Sequence, residues 1–162
     1  MRVSAKADYA VRAAAELAAA DGQPLKRERI SDAQGIPAKF LEAILLELKH
    51  AGIIKSTRGT GGGYALARPA DEISLADVIR AVDGPMATVR GERVESVEYA
   101  GPAEALRDVW VAVRASLRRV LETTSLADLA SGELPPRVRE LTADPEAWIS
   151  MNRRRRPPAE SR

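Results

Sequence analysis

Four of the five positions from Gly59 to Gly63 are glycine, and they separate two short β-prone runs, Ile53-Ile54-Lys55-Ser56-Thr57 and Tyr64-Ala65-Leu66-Ala67. Two such runs joined by a glycine-rich loop read as a hairpin. A phosphate-cradling loop is the competing reading, but it runs from strand to helix and requires Gly-Lys-Ser/Thr. Arg58-Gly59-Thr60-Gly61-Gly62-Gly63 runs from strand to strand and lacks that lysine. The loop is then either a tight structural turn or a tip that another chain approaches closely. Four glycines exceed what a turn needs and would permit such an approach.

Three helical stretches precede the hairpin. Between Ser4 and Ala20 the apolar residues Ala10, Val11, Ala14, Leu17 and Ala18 recur at helical spacing, and Asp21-Gly22 with Pro24 ends the run. A short helix is expected over about residues 27–34, closed by Gly35. Ile36-Pro37 opens a third helix, with Leu41, Ile44, Leu45 and Leu48 as its buried stripe and Gly52 as its stop. Three helices and a glycine-tipped hairpin outline a winged helix-turn-helix, in which the third helix can lie in the DNA major groove. On a helical wheel Lys39, Glu42, Ala43, Leu46 and His50 lie away from the apolar stripe, with Phe40 at its margin. Glu42 can accept from a cytosine amino group and Phe40 can meet a thymine methyl. Arg58 on the hairpin tip suits a narrow minor groove, with Lys55 a phosphate contact beside it.

Beyond the hairpin, Ser74-Leu75-Ala76-Asp77 reads as a capping box that opens a helix reaching Asp83, and Gly84-Pro85 stops it. Residues 86–102 have no clear period and read as a loop with at most a short strand. A long helix is expected over about residues 103–122. Its apolar positions Leu106, Trp110, Val113, Leu117 and Val120 alternate at 4-3-4-3, the heptad spacing of a helix packed along a partner helix. Ser125-Leu126-Ala127-Asp128 repeats the capping pattern before a brief final helix that ends near Gly132. The expected fold class is mainly α: a winged helix-turn-helix domain with a small β-hairpin wing, plus a long C-terminal dimerisation helix. Residues 1–85 would form the DNA-binding domain and 86–102 a loop open to an effector or partner. Residues 103–132 would hold the dimerisation helix and short terminal helix, and 133–162 a weakly ordered basic tail.

Charge is distributed unevenly along the chain. Residues 1–70 carry eleven Lys/Arg against seven Asp/Glu, residues 71–152 nine against fifteen, and the last ten residues five against one. A basic first part suggests a polyanionic partner, double-stranded DNA above all, although an ordinary mixed surface has the same look. Arg153 to Arg156 would embrace phosphate or simply keep a tail soluble. There is no cysteine, which excludes disulfides, thiol catalysis and every cysteine-ligated metal or cluster. The single histidine, His50, cannot assemble a metal site and reads as a phosphate neighbour or a helix-dipole partner. Glu92, Glu95 and Glu98 read as a solvated edge, and Trp110 as interface core rather than a ligand cage. No catalytic constellation is present, so neither enzyme chemistry nor a metal or other cofactor is expected. The alanine-rich stretch from Val11 to Ala20 is too short and too polar to be a signal core or membrane span, and the protein is expected in the cytoplasm.

Four segments also carry a family resemblance: Ser4 to Ala13, Gly35 to Glu42, Arg58 to Tyr64 and Ile73 to Pro85. They resemble the Rrf-two family of bacterial repressors in order over about residues 1–132. The resemblance implies a homodimer whose long helix crosses its mate and whose two winged domains share a partly palindromic operator. It implies that Ala38, Lys39, Phe40, Glu42 and Ala43 read bases and that the wing residues Arg58, Gly59, Thr60 and Gly61 meet the minor groove. Lys6 and Tyr9 become backbone contacts. Pro37, Lys39 and Ala43 depart from the small hydroxyl residues and Gln of many relatives, so no operator sequence carries over. Cluster-bearing members hold three cysteines between the fourth helix and the long helix, whereas Val89 to Glu104 holds none. Residues 106–129 look closer to the clusterless, CymR-like branch, which responds through a partner protein. That makes a metabolic enzyme or a small-molecule effector the expected further partner, and a protein-interaction module with weak or lost operator binding the alternative.

Overall fold

The computed structural model describes residues 3–149. Helix α1 (Ala5–Ala19) is capped by Ser4, whose hydroxyl accepts from the Ala7 amide at 2.9 Å. Its inward face is Ala7, Ala10, Ala13, Ala14 and Leu17, none more than 1% exposed. Small side chains on that face let neighbouring backbones come close. Helices α2 (Arg27–Gln34), α3 (Ala38–His50), α4 (Leu75–Asp83) and α6 (Leu126–Ser131) all pack on α1. The buried face is turned from the expected one: Ala7 and Ala13 are inside, whereas Val11 and Ala18 only border the core. Helix α1 meets neighbours on several sides, which a single apolar stripe cannot anticipate.

The turn between α2 and α3 follows from local chemistry. Gly35 takes a left-handed conformation (φ 60°, ψ 33°) and ends α2, while the Ser31 hydroxyl donates to the Ile36 carbonyl at 2.7 Å. Pro37 caps α3 from outside its first turn. Ile36, Leu41, Ile44, Leu45 and Leu48 then close over Ile30 and the α1 alanines. Strands β1 (Ile54–Thr57) and β2 (Gly63–Leu66) pair antiparallel with Thr57 opposite Gly63. Leu25 adds a third edge, exchanging two backbone hydrogen bonds of 2.8 Å with Tyr64.

The expected capping box opens α4, with the Ser74 hydroxyl and Asp77 carboxylate each bonding the other's backbone amide. After α4 the chain is more regular than a loop. A two-residue hairpin joins β3 (Thr88–Val89) and β4 (Glu92–Arg93), 3-10 turns follow at Val94–Ser96 and Gly101–Ala103, and Val94 and Val97 are buried. Helix α5 (Leu106–Leu121) comes next.

Helix α6 is the principal departure from expectation. Its capping box is present, but the helix belongs to the winged domain's core and not to a dimerisation appendage. Ser125 bridges Ser74, the Leu75 amide donates to the Thr124 carbonyl and the Leu126 amide to the Ile73 carbonyl, both at 2.9 Å. Leu126 is fully buried. Part of the expected weakly ordered segment is also helical: α7 spans Pro136–Ala143, and a 3-10 turn spans Pro145–Trp148. Pro136 starts that helix at its first position, where a missing N–H costs nothing. The arginines 153–156 lie outside the described residues.

This placement of α6 has a measurable consequence. Leu126→Ala removes a fully enclosed side chain and is expected to cost about 2–5 kcal/mol in urea unfolding. Leu141→Ala, on the partly exposed α7, is expected to stay within about 0.5 kcal/mol. Equal losses would show that α6 is not part of the core.

Candidate nucleic-acid interface

The residues assigned to the recognition surface share one exposed face of α3. Ala38, Lys39, Phe40, Glu42 and Ala43 are all exposed, while Leu41, Ile44, Leu45 and Leu48 point inward. Phe40 is 59% exposed and Leu46 53%, unusual for apolar side chains on a solvent face without a partner. Phe40 is held in place: its ring meets that of Tyr9 edge-on, centroids 6.4 Å apart, and the Arg12 guanidinium lies 5.5 Å from the Tyr9 centroid. Arg12 also donates to the Gln34 side chain at 3.1 Å and to the Gln34 carbonyl, fastening α1 to the end of α2.

Two assigned residues have partners that local spacing could not reveal. Glu42 accepts from Arg27 of α2 at 3.2 Å. Lys6 pairs with Glu47 of α3 at 3.1 Å, both about two-fifths exposed, and so links α1 to α3. By contrast, no carboxylate among the described residues lies within ion-pair distance of Lys39, Lys55 or Arg58. These three exposed cations, on α3, β1 and the tip beyond β1, are free to meet an anionic polymer.

The tip glycines divide by purpose. A Cβ on Gly62 would strike the Thr57 carbonyl, and one on Gly63 would come within 2.5 Å of the Leu25 carbonyl. Those two glycines are required by the hairpin and its third edge. Gly59 has φ 102°, a conformation that favours glycine, and its carbonyl accepts from the Gly62 amide at 3.0 Å. Gly61 has neither constraint: nothing lies within 4 Å of its would-be Cβ and its φ is not positive. It is the one glycine of the tip that the fold itself does not explain. Arg58, Gly59, Thr60 and Gly61 are exposed, as is Lys55.

The five positions expected to form the seam of the long helix are split. Leu106, Trp110, Leu117 and Val120 are half-buried within the chain. The Trp110 indole N–H donates to the Tyr99 hydroxyl at 3.1 Å. Leu117 and Leu121 line an apolar cavity of about 310 Å³ against Val3, Ala7 and Ile79. Val113 is exposed, and so is Val109, one turn away and absent from the expected set. Periodicity identifies an apolar stripe but not the body it faces. Here one edge faces the chain's own winged domain and the other faces solvent.

No helix among the described residues is long and apolar enough to cross a membrane. Nor do they contain a group of three or more His, Cys, Asp or Glu side chains able to hold a metal ion.

Comparison with known proteins agrees with this geometry. Residues 3–132 match the model of the Rrf2 family, described as an iron-dependent transcriptional regulator. The chain is 53% identical over 151 residues to Rv1287 of Mycobacterium tuberculosis, a candidate HTH-type transcriptional regulator, covering 93% of this chain and 94% of that one. It is 35% identical over 132 residues to the HTH-type transcriptional regulator CymR of Bacillus subtilis, covering 81% and 91%. The solved structure of that protein, the global cysteine regulator of B. subtilis, superposes with a TM-score of 0.69 at 34% identity, covering 81% of this chain and 97% of that one. IscR of T. potens superposes with a TM-score of 0.65 at 30% identity and 93% coverage of both chains. The chain has no cysteine and one histidine, so its residues do not fit a thiolate-held iron–sulfur cluster, one form that the iron of the family description can take. These relatives are transcriptional regulators and not enzymes. The chain belongs to the Rrf2 family of DNA-binding transcriptional regulators.

Proposed function

We propose that the protein is a cytoplasmic, homodimeric repressor that reads a partly palindromic operator through α3 and the wing, without an iron–sulfur cluster. The observation that carries the reading is the conjunction of an outward α3 face, with Phe40 braced by Tyr9, and an Arg58 with no carboxylate partner among the described residues, on a tip whose Gly61 has no structural need to be glycine. Ala38, Lys39, Phe40, Glu42 and Ala43 face the bases, and Arg58, Gly59, Thr60 and Gly61 enter the minor groove. Glu42 can accept from a cytosine amino group only by sharing its charge with Arg27. Lys55 and Tyr9 contact phosphate, and Lys6 does so after exchanging Glu47 for the backbone. The exposed Val109 and Val113 form the centre of the contact between two copies of α5. No observation favours a module that has lost operator binding, because its exposed cations are in place.

The wing is tested by titrating variants on duplex from the chain's own upstream region and on random duplex, at two salt concentrations. Arg58→Ala is expected to lose about 1–3 kcal/mol on operator while shifting stability by no more than about 0.5 kcal/mol. Gly61→Ala is expected to fold normally and bind operator more weakly, because its methyl obstructs backbone approach. Lys55→Ala should weaken both duplexes alike and flatten the salt dependence. Full operator binding by folded Arg58→Ala and Gly61→Ala would sink the wing assignment.

The dimer is tested by light scattering at micromolar concentration. Wild-type protein is expected at twice the chain mass. Val109→Asp combined with Val113→Asp is expected at the chain mass with its helical content retained, since both positions face away from the winged core. A wild-type monomer would refute the seam.

Iron is tested by anaerobic reconstitution with ferrous iron and sulfide. Desalted protein is expected to be colourless, and visible charge-transfer absorbance with stoichiometric iron would contradict the clusterless reading.

A further inference from the structure

The segment from Pro85 to Thr88, which follows α4, forms a shared wall between two cavities. One is the apolar cavity behind Leu117 and Leu121. The other, of about 200 Å³, has a different lining: Arg80 of α4, Arg93 of β4, and Arg114 and Arg118 of α5. These arginines come from three separate segments, and no carboxylate among the described residues lines the cavity with them.

Two glutamates pair with these arginines without lining the cavity. Glu122 pairs with Arg80 and, at 2.9 Å, with Arg118; Glu95 pairs with Arg114 and, at 3.2 Å, with Arg93. Asp77 is a third counter-charge, 3.7 Å from Arg80 through one carboxylate oxygen while the other serves the α4 capping box. Hydrogen bonds from Arg80 and then Arg118 hold Glu122 below the usual carboxylate range. A backbone hydrogen bond and then Arg114 do the same for Glu95. Both glutamates are therefore fully charged. Counting Asp77, three carboxylates among the described residues face four guanidiniums, which leaves an excess of one positive charge. Each guanidinium offers five N–H donors, more than these pairings use.

The backbone of the cavity wall is also unusual. Ala87 adopts φ 56°, a region that non-glycine residues seldom occupy, whereas the φ of 54° at Arg90 is what the two-residue β3–β4 turn requires. Converging like charges and strained turns persist where the surrounding structure or a ligand compensates for them.

We propose that this four-arginine cavity binds a small oxyanion, a free phosphate or sulfate or the terminal phosphoryl or sulfuryl group of a small metabolite. The planar forks of the guanidiniums match such tetrahedral oxygens in geometry and charge. The volume suits one such group. A bound oxyanion bonds α4, the β3–β4 hairpin and α5 together, and so sets the angle at which the long helix leaves the winged domain. None of Lys39, Lys55 or Arg58 lines the cavity, so the site stands or falls independently of the operator reading.

The test uses the full chain without DNA. Inorganic phosphate, sulfate and malonate are titrated by calorimetry and by thermal unfolding, against sodium chloride at matched ionic strength. Phosphate or sulfate is expected to bind saturably and raise Tm, with malonate weaker. Arg114→Ala and Arg93→Ala are each expected to lose about tenfold or more in affinity. Arg93 is 76% exposed, so its variant folds even if Arg114→Ala is impaired. Arg107→Ala, on α5 outside the cavity, is expected to bind as wild type. The proposal is overturned if chloride reproduces the effect, if malonate binds more tightly than either oxyanion, or if Arg93→Ala binds as tightly as wild type.

Discussion

Everything in this molecule rests on the alanine face of α1. Ala10, Ala13 and Ala14 are completely enclosed, and around them the other winged-domain helices and the returning strand β2 find their positions. Alanine contributes little area per residue, so the stabilisation comes from the close approach it permits and from the larger side chains brought together. Ile30, Ile36, Leu41, Ile44, Leu45, Leu48, Ile73, Val78 and Leu126 form one continuous cluster only because α1 leaves them room. Larger residues on this face would force the helices apart and break the cluster at its centre.

That central packing also orients the face proposed to read DNA. With its inward stripe locked, α3 has only one face left to present. The brace from Tyr9 and Arg12 then fixes Phe40 from a neighbouring helix, so this side chain is held in place before any partner arrives. Leu25 serves the wing in the same way: its backbone pairing with Tyr64 holds the returning strand on the domain, and Gly63 is small because that pairing is close.

The long helix joins two environments. Its inner edge meets the chain's own body through Trp110, Leu117 and Leu121, and its outer edge shows Val109 and Val113 to solvent. Its basic residues Arg114 and Arg118 turn toward α4 and the β3–β4 hairpin, where Arg80 and Arg93 meet them. A change at this junction is therefore mechanically linked to both the winged core and the exposed Val109–Val113 edge of the long helix. After α5 the chain returns through Thr124 and Ser125 to the start of α4, so the helix is anchored at its far end as well.

By itself the sequence determined the features that depend on near neighbours. Gly35 and Pro37 place the break between α2 and α3, Ser74-x-x-Asp77 and Ser125-x-x-Asp128 start two helices, and the glycines from Gly59 to Gly63 make the hairpin. The outward set on α3 was legible because helical periodicity alone separates it from Leu41, Ile44, Leu45 and Leu48. Only the tertiary structure decided which surfaces meet. It joined Glu42 to Arg27 and Lys6 to Glu47, gathered four arginines around one cavity, put Leu126 in the core and split the α5 stripe between its own body and solvent. It also separated Gly62 and Gly63, which the hairpin requires, from Gly61, which it does not. The physical reason is that caps, turns and periodicity are set within a few residues along the chain. Ion pairs, burial and close backbone approach depend instead on residues tens of positions apart, brought together only once the core has closed.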